Sequence, residues 1–140
     1  MNPPAKRSVE LQPERWLIHA RSDLVLARLG LHRDVLPEHV CFHAQQAVEK
    51  SLKALLLHRR VDFPFTHDLA ELLDTMADAG IEVPAEIADA DSLTPYAVET
   101  RYPGFWGDIA EGDVAEALRL AEAVLRWVEE QIEQPPPPDG

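Results

Sequence analysis

Apolar residues along this 140-residue chain recur at three- and four-residue intervals almost throughout, and nowhere do they alternate convincingly over more than four residues. That period lines one face of an α-helix and does not suit the two-residue period of a half-buried strand; no Asn-Gly type hairpin turn is present either. The pattern predicts an all-α chain, an up-and-down antiparallel bundle of four to five helices. Its length suits one domain.

Proline and glycine punctuate the pattern. Pro13 suits a first helical position, and the first helix is predicted over 13–29, with Trp16, Leu17, Ala20, Leu24 and Ala27 on one stripe and Gly30 as its stop. A second helix is predicted from Pro37 to about residue 58. Thr66 reads as the N-cap of a third, over 67–79, with Leu69, Leu72, Leu73 and Met76 inward and Gly80 as the stop. A short helix should follow Pro84, and Thr94-Pro95 reads as the cap and first position of another turn, which must end before Pro103. Asp113 and Glu116 resemble a capping box that opens a last long helix to about residue 133, with Ala117, Leu118, Ala121, Val124, Leu125 and Val128 as its apolar stripe. The domain is thus expected over 13–133, between a flexible segment 1–12 and a Pro-rich, disordered tail 134–140.

Charge divides the chain. Residues 1–70 hold ten Lys/Arg and eight Asp/Glu (+2), while residues 71–140 hold three and seventeen (−14). All six histidines lie in the first half. A sequence pI near 4.8 argues against a surface that binds nucleic acid everywhere, but leaves room for a local basic patch. The acidic half suits a basic partner surface. No segment has the roughly 18 apolar residues that a membrane span requires, and the N-terminus lacks the apolar core of a signal peptide. A cytoplasmic protein with no membrane contact is expected. The lone Cys41 fits a reducing compartment and sits on an apolar stripe, so it reads as a core residue. No cofactor motif and no metal site are expected; His39 and His43 lie one turn apart but lack a third ligand.

The stretch Cys41-Phe42-His43-Ala44-Gln45-Gln46-Ala47-Val48-Glu49-Lys50-Ser51-Leu52-Lys53-Ala54-Leu55-Leu56 resembles the signature helix of the HEPN family. Phe65-Thr66-His67-Asp68-Leu69 with Leu72-Leu73, and Leu93-Thr94-x-Tyr96 followed by Thr100-Arg101-Tyr102-Pro103, are similar to the segments that follow it in that family. The resemblance implies a helical bundle, a homodimer, and a two-component, toxin–antitoxin-like pairing with a minimal nucleotidyltransferase. It also implies a link to nucleotides or RNA. Many members cut RNA without a metal through an Arg-x(4 to 6)-His motif near the last long helix. Here the chain departs from that pattern: after Arg101 the eligible positions are Trp106, Gly107 and Asp108, and no histidine follows His67. Without an imidazole to move a proton near neutral pH, the expectation leans towards a nucleotide-, RNA-phosphate- or partner-binding module. The alternative is an endoribonuclease with a non-standard site around Arg101, borrowing His43 or His67.

Site candidates follow from the same helix. Gln45, Gln46, Glu49 and Lys53 form a polar strip beside the apolar stripe, read either as a solvated edge or as a buried or cleft-lining band. Lys50 and Lys53, with His58, Arg59 and Arg60, make the densest run of positive charge. The candidates for holding a nucleotide or phosphate are Gln46, Glu49, Lys50, Lys53, His67, Arg101 and Tyr102.

Overall fold

The computed structural model describes residues 12–99 and 109–134. Among these, five α-helices and one 3-10 helix account for the regular structure, and there is no strand. Helix α1 is Pro13–Gly30, α2 Pro37–His58 and α3 Leu69–Asp78; a 3-10 helix, Ala85–Leu93, leads into the five-residue α4, Pro95–Glu99, and α5 is Glu111–Glu133. The all-α bundle expected from periodicity is present. Segment 1–11, the tail 135–140 and the Arg101–Tyr102–Pro103 motif lie outside the described residues.

Contacts fix the directions of the long helices. Lys53 stands over the Trp16 ring, Lys50 bonds to Asp23, and a Cβ at Gly30 would meet Val40, so positions fall along α2 as they rise along α1. Arg21 pairs with Glu129 and Arg28 with Glu122, which sets α1 antiparallel to α5 as well. The short elements between residues 69 and 99 return the chain, so that α5 runs alongside α2 and Arg59 reaches Gln131 at their shared C-terminal end.

The second helix is the axis of the bundle. Thirteen of its 22 residues are buried, including Leu52, Leu55 and Leu56, and α1, α3, α4, α5 and the 3-10 helix all pack on it. The predicted stripes of α1 and α5 face this core, with Asp23, Gly30, Val114, Leu120 and Trp127 added. Helix α1 also carries a second apolar stripe on its outer side: Ile18, Val25 and Leu29 are exposed at seven- and four-residue intervals, opposite Leu17, Ala20, Leu24 and Ala27.

Several caps differ from expectation. Asp68, not Thr66, caps α3, because its carboxylate accepts from Ala70 N–H; the Thr66 hydroxyl instead accepts from Asp68 N–H, two residues earlier. The Thr94 hydroxyl accepts from Leu69 N–H, so it serves α3 and not the turn that follows it. Helix α5 starts two residues before Asp113, whose carboxylate reaches back to Ala110 N–H from the third helical position. The Thr94 bond spans 25 residues and is set by packing, while the Thr66, Asp68 and Asp113 bonds are local alternatives among the orphan N–H groups of a helix start.

Helices α2 and α3 end alike. Val61 N–H bonds to Leu56 C=O and Ile81 N–H to Met76 C=O, a reversal that places Arg60 and Gly80 in the left-handed region, at φ of 60° and 82°. Gly80 adopts it freely, whereas Arg60 strains against its own Cβ. Chemical denaturation should therefore show Arg60→Gly raising stability by about 1 kcal/mol and Gly80→Ala lowering it by about as much.

Candidate functional site

The polar strip of α2 is a buried band. Gln46 Nε2 donates to Gln45 Oε1 at 2.7 Å, and Gln45 Nε2 donates to Glu49 Oε1 at 3.0 Å and towards the His67 carbonyl at 3.4 Å. Glu49 then receives Lys53 Nζ at 2.8 Å and lies 3.0 Å from His67 Nδ1. The Glu49 and Lys53 side chains keep only 4% and 7% of their surface. An ion pair taken this far out of water is stable only when its remaining lone pairs and protons are matched. Here three donors converge on one carboxylate, and the Lys53 ammonium sits 5.4 Å from the Trp16 ring centroid and 6.0 Å from that of Phe63, within cation–π range of both. Burial alone would push the Glu49 carboxyl up, but the hydrogen bonds from Lys53 and Gln45, the Lys53 charge and the His67 bond outweigh it and hold the group below the usual carboxylate range.

A second cluster joins α1 to α2. Asp23 is buried on the core side of α1 and uses both oxygens, one towards His43 Nδ1 at 2.9 Å and one for Lys50 Nζ at 2.6 Å. Phe42 stands edge-on to the His43 ring. Since Nδ1 is engaged by the carboxylate, Nε2 is the ring nitrogen left to face a ligand. His67 is likewise tethered through Nδ1, and its side chain is 64% exposed.

Of the seven nominated residues, the structure joins Gln46, Glu49, Lys53 and His67 in one network and places Lys50 in the adjoining one; Arg101 and Tyr102 lie outside the described residues. The run of positive charge does not form an open patch. Lys50 and Lys53 each bond a carboxylate, and Arg59 leans on Gln131, leaving His58 and Arg60 exposed at the helix end. Sequence reasoning missed Asp23, Trp16 and Phe63 as site residues. An aspartate among the core-facing positions of α1 was the signal for the first. The aromatics carried none, since their approach to Lys53 spans α1, α2 and a loop. Trp16 Nε1 is, among the described residues, the buried side-chain polar atom without a hydrogen-bond partner.

Cys41 is fully buried, as its stripe implied. Burial raises its thiol to about 11, against a partial opposing effect of the hydrogen bond with Tyr96, which rules out a thiolate nucleophile at neutral pH. Among the described residues no cluster of three or more His, Cys, Asp or Glu could hold a metal ion, and no helix is long and apolar enough to cross a membrane.

The family model of the HEPN domain matches residues 13–131. The chain belongs to the HEPN family. Two solved structures extend the likeness to the fold. An archaeal HEPN homologue, ST0689, is 29% identical, with a TM-score of 0.69 over 87% of this chain and 98% of its own. TT1696 from Thermus thermophilus is 32% identical, again with a TM-score of 0.69, over 86% of this chain and 98% of its own. No curated protein matches the chain. In this HEPN domain, then, the signature helix supplies both the core axis and the polar band.

The band makes a pH prediction. Glu49 binds its proton less readily folded than unfolded, so between the folded value and the unfolded value near 4.3 the unfolded chain holds more protons, and stability rises with pH. The contribution is complete above about pH 4.3 and is lost as pH falls through the folded value. Glu49→Gln leaves Lys53 buried without its counter-charge; urea titrations at pH 7 should show a loss of about 3–5 kcal/mol and a flatter dependence on pH below 5.

Proposed function

We propose that this HEPN protein is a module that binds a nucleotide or an RNA phosphate, together with a protein partner, and is not an efficient ribonuclease. The observation that carries this is the exposed His67 ring at the edge of the buried band. The His67 ring is exposed and tethered through Nδ1 alone, which leaves Nε2 open to a ligand, whereas Trp16 Nε1 is shut off from solvent and does not contribute. With Nδ1–H given to Glu49, Nε2 accepts from a ribose hydroxyl when the ring is neutral and donates to a phosphate oxygen when it is protonated, and a ring held by a packed wall binds with little ordering cost. The family resemblance is what supports a minimal nucleotidyltransferase as the partner, in a two-component, toxin–antitoxin-like arrangement in the cytoplasm. The outer stripe of α1 supports a homodimer: among the described residues, seven of the eight exposed large hydrophobic side chains fall within residues 18–36, where a second copy would cover them.

One geometric feature favours a second reading, an RNA-cleaving HEPN protein with a non-standard site around Arg101. Asp23 orients the His43 ring as a carboxylate orients a general base, with Nε2 turned away from the pair.

Two measurements decide. Calorimetric titration with ATP or GMP should give heat that His67→Ala reduces about tenfold or more in affinity; His67→Ala is preferable to Lys53→Ala, which would strand Glu49. Absence of heat with both nucleotides would remove the nucleotide reading. In parallel, RNA incubated in EDTA should stay intact, and cleavage lost in both Arg101→Ala and His43→Ala would establish the ribonuclease instead. For the dimer, sedimentation at tens of micromolar should show two copies for the native chain and one for Val25→Glu/Leu29→Glu. A native monomer would count against the α1 interface.

A further inference from the structure

The acidic half of the chain is not spread evenly over the bundle. Residues 68–97 hold eight Asp/Glu and no Lys, Arg or His, and they form α3, the 3-10 helix and the turn between them. On this face Asp74, Asp78 and Glu82 are exposed, and no described residue pairs with them; Glu86 and Asp89 have Arg119 of α5 in their neighbourhood. Like charges gathered in this way repel one another and cost the folded state energy that a cationic partner would recover.

The same face is grooved. Helix α3 ends at Asp78, the chain reverses at Gly80 and turns through Val83-Pro84, and beside the 3-10 helix lies a depression of about 410 Å³ lined by Leu73, Ala77, Gly80, Ile81, Val83 and Ala88, with the one carboxylate of Glu82 among them. Nothing lies within 4 Å of a Cβ built on Gly80, so this part of the groove is open. Asp74 and Asp78 each follow a groove residue along α3. An apolar floor with carboxylates along its border is the complement of an amphipathic segment with apolar anchors on one side and lysine or arginine on the other.

We infer that the groove between α3 and the 3-10 helix docks a basic amphipathic segment of a partner protein. The apolar anchors supply affinity by leaving water, and the acidic border supplies orientation and a fast, salt-sensitive approach. This rests on the partner-binding half of the function proposed above and gives that partner a chemistry. It does not involve the polar band of α2.

The test uses a fluorescein-labelled synthetic helix, leucines on one face and lysines on the other, titrated with the full chain and followed by anisotropy. The native protein should bind it, and should bind a version with serine for leucine at least tenfold more weakly. Ala77→Phe, which fills the groove from an exposed position, and Asp74→Lys/Asp78→Lys should each weaken binding about tenfold or more, while Glu130→Lys/Glu133→Lys, an equal charge change on α5, should leave it within about threefold. Equal losses in all three variants, or indifference to the serine version, would reduce the effect to unspecific attraction and overturn the inference. So would a change in the sedimentation of the protein alone in Ala77→Phe, because the groove would then hold a second copy. Circular dichroism confirms that each variant is folded. If the peptide fails to bind while nucleotide heat persists, the groove inference falls alone; if both are absent, the proposed function falls with it.

Discussion

The buried pair of Glu49 and Lys53 is the interaction on which the arrangement of this bundle turns. Two opposite charges one helical turn apart on an exposed helix contribute a few tenths of a kcal/mol, and the helix would form without them. Placed in the middle of α2 with under a tenth of their surface exposed, they become a constraint on everything nearby. The carboxylate must be given donors and the ammonium must be given either acceptors or aromatic faces, because neither can recover its lost hydration otherwise. Gln45 from the same helix, His67 from the entry to α3, Trp16 from α1 and Phe63 from the connecting loop meet those needs. One pair thereby fixes how α1, the 59–68 connection and the start of α3 sit against the axis of the bundle.

This also explains why the sequence was informative about the fold and less so about the site. The bounds of α2 could be read from Pro37 and from the end of its apolar period, since both act within a few residues. The exchanges of cap between Thr66 and Asp68, and between Thr94 and its own turn, were not readable in the same way. Thr66 and Asp68 lie two residues apart at the same helix start and either could cap it, and the bond to Leu69 comes from 25 residues further along. Lysines at positions 50 and 53 were visible as a positive run. Their neutralisation by Asp23 and Glu49 depends on the α1–α2 packing angle in the first case and on burial in the second, and neither is a property of local sequence.

Once the pairs are placed, the charge asymmetry of the chain takes on a different meaning. The lysines of the basic half are largely spent on internal carboxylates, whereas the carboxylates of α3 and the 3-10 helix have few cations to meet. Residues 68–97 alone carry −8 against the chain's net −12, so the charge is unevenly placed and is not a uniform veto on anions. A phosphate near the α2 band would meet neutral donors and histidine rings more than free ammonium groups, so few counterions would be released on binding and the dependence on salt would be shallow. A basic partner on the acidic face would show the opposite, a steep loss of association rate as ions screen the border carboxylates. The two proposed surfaces would therefore differ in kind: hydrogen-bond geometry would govern one and long-range charge the other, and ionic strength would separate their contributions within a single preparation.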